Sequence, residues 1–409
     1  ASLVGSEMCI RDRIEALDQA KSNSSDAQNV MKIADGALGE VSSMLQRIRE
    51  LAVQGASDTY SENDKKALQS EIDELTKEVD RISGDTEYNT KSLLDGSSDT
   101  RVYVRQKDAN GNMTQVNSYI TRINFSDNVA SDKYELTVNS LATQATGSLA
   151  SATKPDAEGT ISINGVSVAV KADMTQDEYI QALQKAATTA GTTMQVNGDS
   201  ISFLSNEYGS DSTVNISLSS SLKALAGAGY ENADDGSGNM QLKSNGKDAV
   251  VTGGENLSDK TIRADGNRVY VVGNSGFSMD FLLSSDMDMT AGSSNLQIDI
   301  SDIGNMAVQI GANEGQEMKI RIPEVSSQTL YLDTVDVTVK GGADKAMSTL
   351  DEAIEYVSGV RSRIGAFQNR LESAESSLSE TSENMTGAYS NIMDLSLIHI
   401  SEPTRLALI

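Results

Sequence analysis

Residues 350–392 read LDEAIEYVSGVRSRIGAFQNRLESAESSLSETSENMTGAYSNI. Within them Leu350, Ala353, Val357, Val360, Ile364, Phe367, Leu371, Ala374, Leu378, Thr381, Met385, Ala388 and Ile392 follow one another in steps of three and four. That period of about 3.5 marks a seam along a long helix. A seam of this length cannot be satisfied within its own helix and must bury against other helices or another subunit. Two readings follow: a surface for end-to-end stacking of subunits, or an ordinary bundle core. Periodicity alone favours the second.

Partner helices lie near the other end of the chain. Met31, Ala34, Leu38, Val41, Leu45, Ile48 and Ala52 repeat the same alternation. Gly55 and a polar stretch to Tyr60 interrupt it, and Ser61 with Asp64 three residues on reads as a capping box. A second helix carries Leu68, Ile72, Leu75, Val79 and Ile82 on one stripe, with Gly84 placed as its C-terminal cap.

Residues 100–305 have another texture, rich in Gly, Ser, Thr, Asn and Asp. Short alternating runs at 102–104, 134–138, 160–163, 166–170, 201–204 and 269–272 predict strands. Asn110-Gly111, Asn164-Gly165 and Asn197-Gly198 supply turn signals between them. A helix is expected over 176–190, and a hairpin from 307–310 and 318–322 precedes the long helix, which begins past Gly341-Gly342. The fold class is therefore α+β: an elongated, coiled-coil-like helical rod with a β-hairpin, carrying an inserted, mainly-β region. The expected boundaries are 14–100 with 306–394 for a discontinuous rod, and 101–305 for an outer region of one or two domains.

Composition removes most chemistry. The 409 residues hold one His, one Cys, no Trp and three Pro, with 59 acidic against 33 basic side chains and a net charge of -26. A Ser/His/Asp triad, a Cys/His pair, a His/Cys metal cluster and an aromatic-lined nucleic-acid groove all need residues that are absent in number. The acidic field repels phosphate backbones and anionic membrane surfaces, so neither nucleic acid nor membrane is expected as a partner. No cofactor, metal or catalytic residue is expected. Asp234-Asp235 and Asp286 with Asp288 could bind calcium weakly, but no ligand loop of EF-hand spacing appears, and solvated loops are the favoured reading. The Ser217–Ser221 run is open to glycosylation, which composition does not decide.

Residues 1–13 and 395–409 (LSLIHISEPTRLALI) do not continue the patterns beside them. They resemble translated sequencing-adapter read-through, and Cys9 and His399 both lie inside them. The expectation is that both segments are artefacts.

At 46–54, QRIRELAVQ resembles bacterial flagellin, the subunit of the flagellar filament. The resemblance extends through SEIDELTKEVDRISGDTEYNTKSLL (70–94), VQIGANEGQEMKIRI with SSQTLYLDTVDV (308–337), and DEAIEYVSGVRSRIGAFQNRLESA (351–374). TISINGVSVAV (160–170), the helix after it and SNEYGSDSTVNIS (205–217) are similar to a β-α-β module of flagellin and hook-associated variable regions, expected over about 158–220. YELTVNSLATQA (134–145) is similar to a segment of filament-cap proteins.

The resemblance implies a rod of two N-terminal helices, the hairpin and one C-terminal helix, with the variable insert projecting outward. It implies a structural protein of the extracellular flagellum, exported by the flagellar type III route rather than Sec. Implied partners are other filament subunits, when terminal helices are present, an export chaperone and the Toll-like flagellin receptor. In many members the hairpin precedes the insert, whereas here it follows, so outer-domain placement does not carry over. Alternatives are a hook-filament junction protein, or an adhesive or carbohydrate-active outer domain on the same stalk.

Carried over through the motif, receptor and subunit contacts fall on Arg47, Leu51, Gln54 and Glu71, with Arg370 in QNR as a C-terminal contributor. Arg47, Leu51 and Gln54 follow i, i+4, i+7 spacing on one helix face. An exposed Leu51 between polar neighbours suits a central apolar anchor. Its replacement together with Arg47 is expected to weaken binding without loss of helix. The bland alternative is a solvated face. The core seam is expected at Leu38, Val41, Leu45, Ile48, Leu68, Ile72, Leu75, Val79, Val357, Val360, Ile364, Phe367 and Leu371.

Overall fold

The computed structural model describes the chain except residues 1, 58, 109, 110, 127, 234, 235, 302 and 407–409, and except the side chains of 1–7 and 394–409. Asn110 of one expected turn and the Asp234-Asp235 pair lie outside the described residues, as does the side chain of His399.

Among the described residues there are four α-helices: α1 (Ser2–Gly55), α2 (Glu62–Asp85), α3 (Gln176–Thr189) and α4 (Gly342–Leu406). The heptad seams bring α1 and α4 together antiparallel. Cross-links between them run in register from Ser382 to Asp18, Gln28 to Glu375, Arg361 to Asp35 and Arg49 to Asp351. Both helices pass without a break through 13/14 and 394/395.

α2 folds back along α1. It starts at the expected capping box: Ser61 Oγ accepts from the Asp64 N–H at 3.3 Å, and Asp64 Oδ2 accepts from the Ser61 N–H at 3.0 Å. Its end corrects the sequence reading. The helix runs through Gly84 to Asp85, and Thr86 is the cap, its N–H and its hydroxyl both donating to the Ile82 carbonyl. Two donors on one orphan carbonyl do the work expected of a left-handed glycine.

Beyond α2 come buried Leu93 and Leu94, and the hairpin Met306–Gln309 with Glu317–Ile320 packs on α1. From 321 to 341 the chain returns along α2 largely without regular structure, and its backbone groups are met by side chains. Asp80 accepts from the N–H and hydroxyl of Ser327, while the Gln69 amide donates to the Val335 carbonyl and accepts from the Val337 N–H, both at 2.9 Å.

These elements share one core. Leu38, Val41, Leu45, Ile48, Ile72, Val79, Val357, Val360, Ile364 and Leu371 are buried in it, and Leu68, Leu75 and Phe367 lie half-buried at its edge. Each buried aliphatic side chain contributes about 1.5–3 kcal/mol. The α4 seam thins beyond Leu378: Thr381 and Ala388 are exposed, and Met385 packs partly on Leu17 and Ala20.

The β region holds two cores, one nested in the other. The first is a sandwich. Its five-stranded sheet has the order Val250–Gly253, Lys133–Ser140, Ser294–Ile300, Val102–Lys107, Met113–Gln115, and its four-stranded sheet the order Thr261–Asp265, Arg268–Val272, Ser278–Leu283, Ile120–Phe125. Val138, Val269, Phe281 and Ile298 are fully buried between them.

Inserted within it, residues 144–245 form a module of a three-stranded and a five-stranded sheet closed by α3. A second capping box, Thr175 with Glu178, starts α3 and turns Tyr179 and Leu183 into the core. The Asn164-Gly165 turn has φ of 45° and 79°, as a two-residue hairpin of this twist requires.

The insert does not project freely. Arg268 of the sandwich reaches Glu352 of α4 at 2.6 Å, and the Thr189 carbonyl of the nested module accepts from the Lys340 N–H at 2.8 Å. The irregular 321–341 ledge adds backbone groups free of helical bonding to the charges that α4 itself offers.

Candidate contact surface on the rod

Arg47 sits on the outer side of α1, where α2 runs beside it. Its Nη2 lies 2.7 Å and its Nε 3.0 Å from Oε1 of Glu71 on α2, and Nη1 lies 3.2 Å from Glu50 one turn along α1. Glu71 first, and Glu50 after it, raise the already high guanidinium pKa by hydrogen bonding. Both members of the Arg47–Glu71 pair are 46% exposed, so the pair holds charge at the surface and adds little to the stability of the fold.

Leu51 is not the exposed anchor the spacing suggested. It is 1% exposed and belongs to the rod core. A two-helix seam would bury only the 3.5-period stripe, but α1 is also covered by α2 and by the returning chain at Val337. That widens its buried arc to include Leu51 and Gly55. Gln54 is half-buried and Val53 is exposed.

Arg370 is exposed, with its guanidinium carbon 5.9 Å from the Phe367 ring centroid. Its place in α4 falls between the rungs at Asp35 and Gln28, whereas Arg47 falls near the rung at Asp351. At 1.5 Å per residue the two arginines are roughly 25 Å apart along the rod. The fold thus brings Arg47 and Glu71 together, keeps Gln54 nearby, removes Leu51 to the core and leaves Arg370 at a distance.

Sequence reasoning missed a second cluster. Tyr331, 8% exposed and at φ 55°, lies on the 321–341 ledge with Arg122 and Arg268 of the sandwich over its ring at 4.7 and 4.2 Å. Arg122 also pairs with Asp333 at 2.6 Å, and Arg268 with Asp280 at 3.2 Å. Burial raises the Asp280 pKa against the pull of Arg268. The only sequence hint was a tyrosine inside the SSQTLYLDTVDV block, read only for its resemblance to flagellin.

Among the described residues no group of His, Cys, Asp and Glu could hold a metal ion, and no helix is long and apolar enough to cross a membrane. Asp288, one of the calcium candidates, instead accepts from the N–H and hydroxyl of Thr290.

Comparison with known proteins places this rod. Residues 1–99 match the bacterial flagellin N-terminal helical region and residues 347–400 the bacterial flagellin C-terminal helical region. The flagellin of Clostridium tyrobutyricum is 28% identical over 395 residues, which are 95% of this chain and 79% of that protein. That of Halalkalibacterium halodurans is 47% identical over 91 residues, 22% of this chain and 34% of the relative. Among solved structures, flagellar hook associated protein-3 from Legionella pneumophila aligns over 95% of this chain and 99% of its own, with TM-score 0.37 and 13% identity. With the two flagellin helical regions matched at α1–α2 and at α4, and flagellins aligned through the insert between them, the chain belongs to the bacterial flagellin family and is a structural subunit of the extracellular flagellar filament.

Proposed function

We infer that the flank of the rod carrying Arg47, Glu71 and Gln54 is its working surface: a contact between neighbouring subunits in the filament and, on the free monomer, the contact for the Toll-like flagellin receptor. The observation that carries this is the Arg47–Glu71 pair, which sets two opposite charges half-exposed across the α1–α2 groove at 2.7 Å. Such a pair adds little stability, yet it gives a partner a positioned donor fork and a carboxylate to complement. Arg370 belongs to the same reading only for a partner that spans roughly 25 Å of rod. Leu51 acts beneath this surface as packing. The family resemblance further supports delivery by the flagellar type III route, with an export chaperone as a transient partner.

The test is direct binding of the folded monomer to the receptor ectodomain, comparing wild type with Arg47→Ala, Glu71→Ala and the double variant. Each single change is expected to weaken binding by about tenfold, as for truncating one partner of an interfacial charge pair. The double variant is expected to cost less than the sum. Unchanged affinity in all three would remove this flank from the receptor contact.

A further inference from the structure

The β-sandwich and the rod are joined by more than the two strands of chain that connect them. On the outer face of the four-stranded sheet, Arg122 and Arg268 stand on either side of the Ser278–Leu283 strand. Both reach over the ring of Tyr331, which belongs to the rod ledge. Each guanidinium is also tied to an acid of the rod, Arg122 to Asp333 through two hydrogen bonds of 3.1 and 2.6 Å, Arg268 to Glu352 at 2.6 Å. The grip is returned from the other side. Arg321 of the rod stacks 4.1 Å from the centroid of Phe125 in the sandwich and donates to its carbonyl at 2.7 Å.

We propose that Tyr331 is a docking post by which Arg122 and Arg268 latch the outer region along the rod, so that the latch decides which flank of the rod is open to neighbouring subunits. The arginines are 15% and 22% exposed, so the stack is largely desolvated, the condition under which cation–π contacts are strongest. Tyr331 holds its position at a cost: its left-handed backbone is unusual for an aromatic residue, and its hydroxyl is buried with no hydrogen-bond partner among the described residues. A residue kept only to fill core space would need neither the strain nor the flanking guanidiniums. In the latched state the sandwich lies against the Glu355–Arg363 stretch of α4, bordering a cleft of about 310 Å³ lined by both charged and apolar residues, while the Arg47 flank stays exposed.

The experiment uses the whole chain. Small-angle scattering reports how far the outer region extends, amide exchange over 328–335 reports the ledge, and circular dichroism reports the helices. Wild type should scatter as the docked form. Tyr331→Ala should broaden the distance distribution to larger separations and speed exchange over the ledge about tenfold or more, with helix content kept. Tyr331→Phe keeps the ring and removes only the unpartnered hydroxyl, and should behave as wild type. Arg122→Gln with Arg268→Gln, which leaves the ledge itself unaltered, carries the same expectation should Tyr331→Ala fail to fold. The proposal is overturned if wild type already scatters as an undocked ensemble, if the arginine double variant stays docked, or if Tyr331→Phe opens as far as Tyr331→Ala.

Discussion

Gly55, in the last turn of α1, lies hard against Val337: a Cβ built on the glycine would stand 2.9 Å from the Val337 Cβ and 3.4 Å from both its methyls. Val337 is fully buried and its N–H is held by the Gln69 side chain, so it cannot retreat. Gly55→Ala would gain about 1 kcal/mol of helix propensity but lose about 1–3 kcal/mol to overpacking. The expected net result is a lower urea midpoint with unchanged slope. Combined with Val337→Gly, which removes the Cβ and both methyls that the new Cβ would meet, the added methyl should cost less than it does alone, and an additive double variant would contradict the contact.

Leu51 and Arg47 are one helical turn apart and should behave oppositely. Leu51→Ala removes a side chain 1% exposed in the rod core and is expected to lower stability by about 2–5 kcal/mol. Arg47→Ala breaks a half-exposed, solvent-screened ion pair and should leave stability close to that of wild type. Thermal or urea unfolding of the two single variants measures the contrast. Equal losses would mean that the burial assigned to Leu51 is wrong, and any binding defect of a variant lacking Leu51 has to be separated from unfolding first.

Asp280 makes a prediction in pH. Burial raises its pKa above the ordinary aspartate value of 3.8, Arg268 opposes the rise, Asn124 donates to it, and Glu352 adds to it from the rod. A carboxyl raised in the native state binds more protons folded than unfolded. Its contribution to stability is therefore complete below 3.8 and is lost as pH rises through the native value. The stability of wild type minus that of Asp280→Asn should accordingly fall with rising pH across this window. Taking the difference cancels the many surface carboxylates common to both proteins. A difference that is flat, or rises with pH, would show that the Arg268 pair outweighs burial.

Much of the rod was legible along the chain. Steps of three and four name most of the buried face of α1 and that of α4 as far as Leu378, because a seam must recur at the helical period wherever its partner lies. Ser61 with Asp64 marked the start of α2 for a similarly local reason: the donors it satisfies are three residues away. Gly84 misled because the competing device, Thr86 bonding back to Ile82, is equally local but less conspicuous.

What the sequence by itself determined is the helical period, the alternation of the strands, the capping box that starts α2, and an acidic composition without the residues for His- or Cys-based chemistry. These depend on neighbours within a turn or a hairpin. Tertiary structure alone decided that Leu51 is interior: it shares one core with Ile72 and Val79 of α2 and with Val337, which returns nearly 300 residues later. It alone set Arg122, Arg268 and Tyr331 in one stack. Contacts between residues so far apart leave no period in the chain, because the loops that bring them together carry no regular spacing to read.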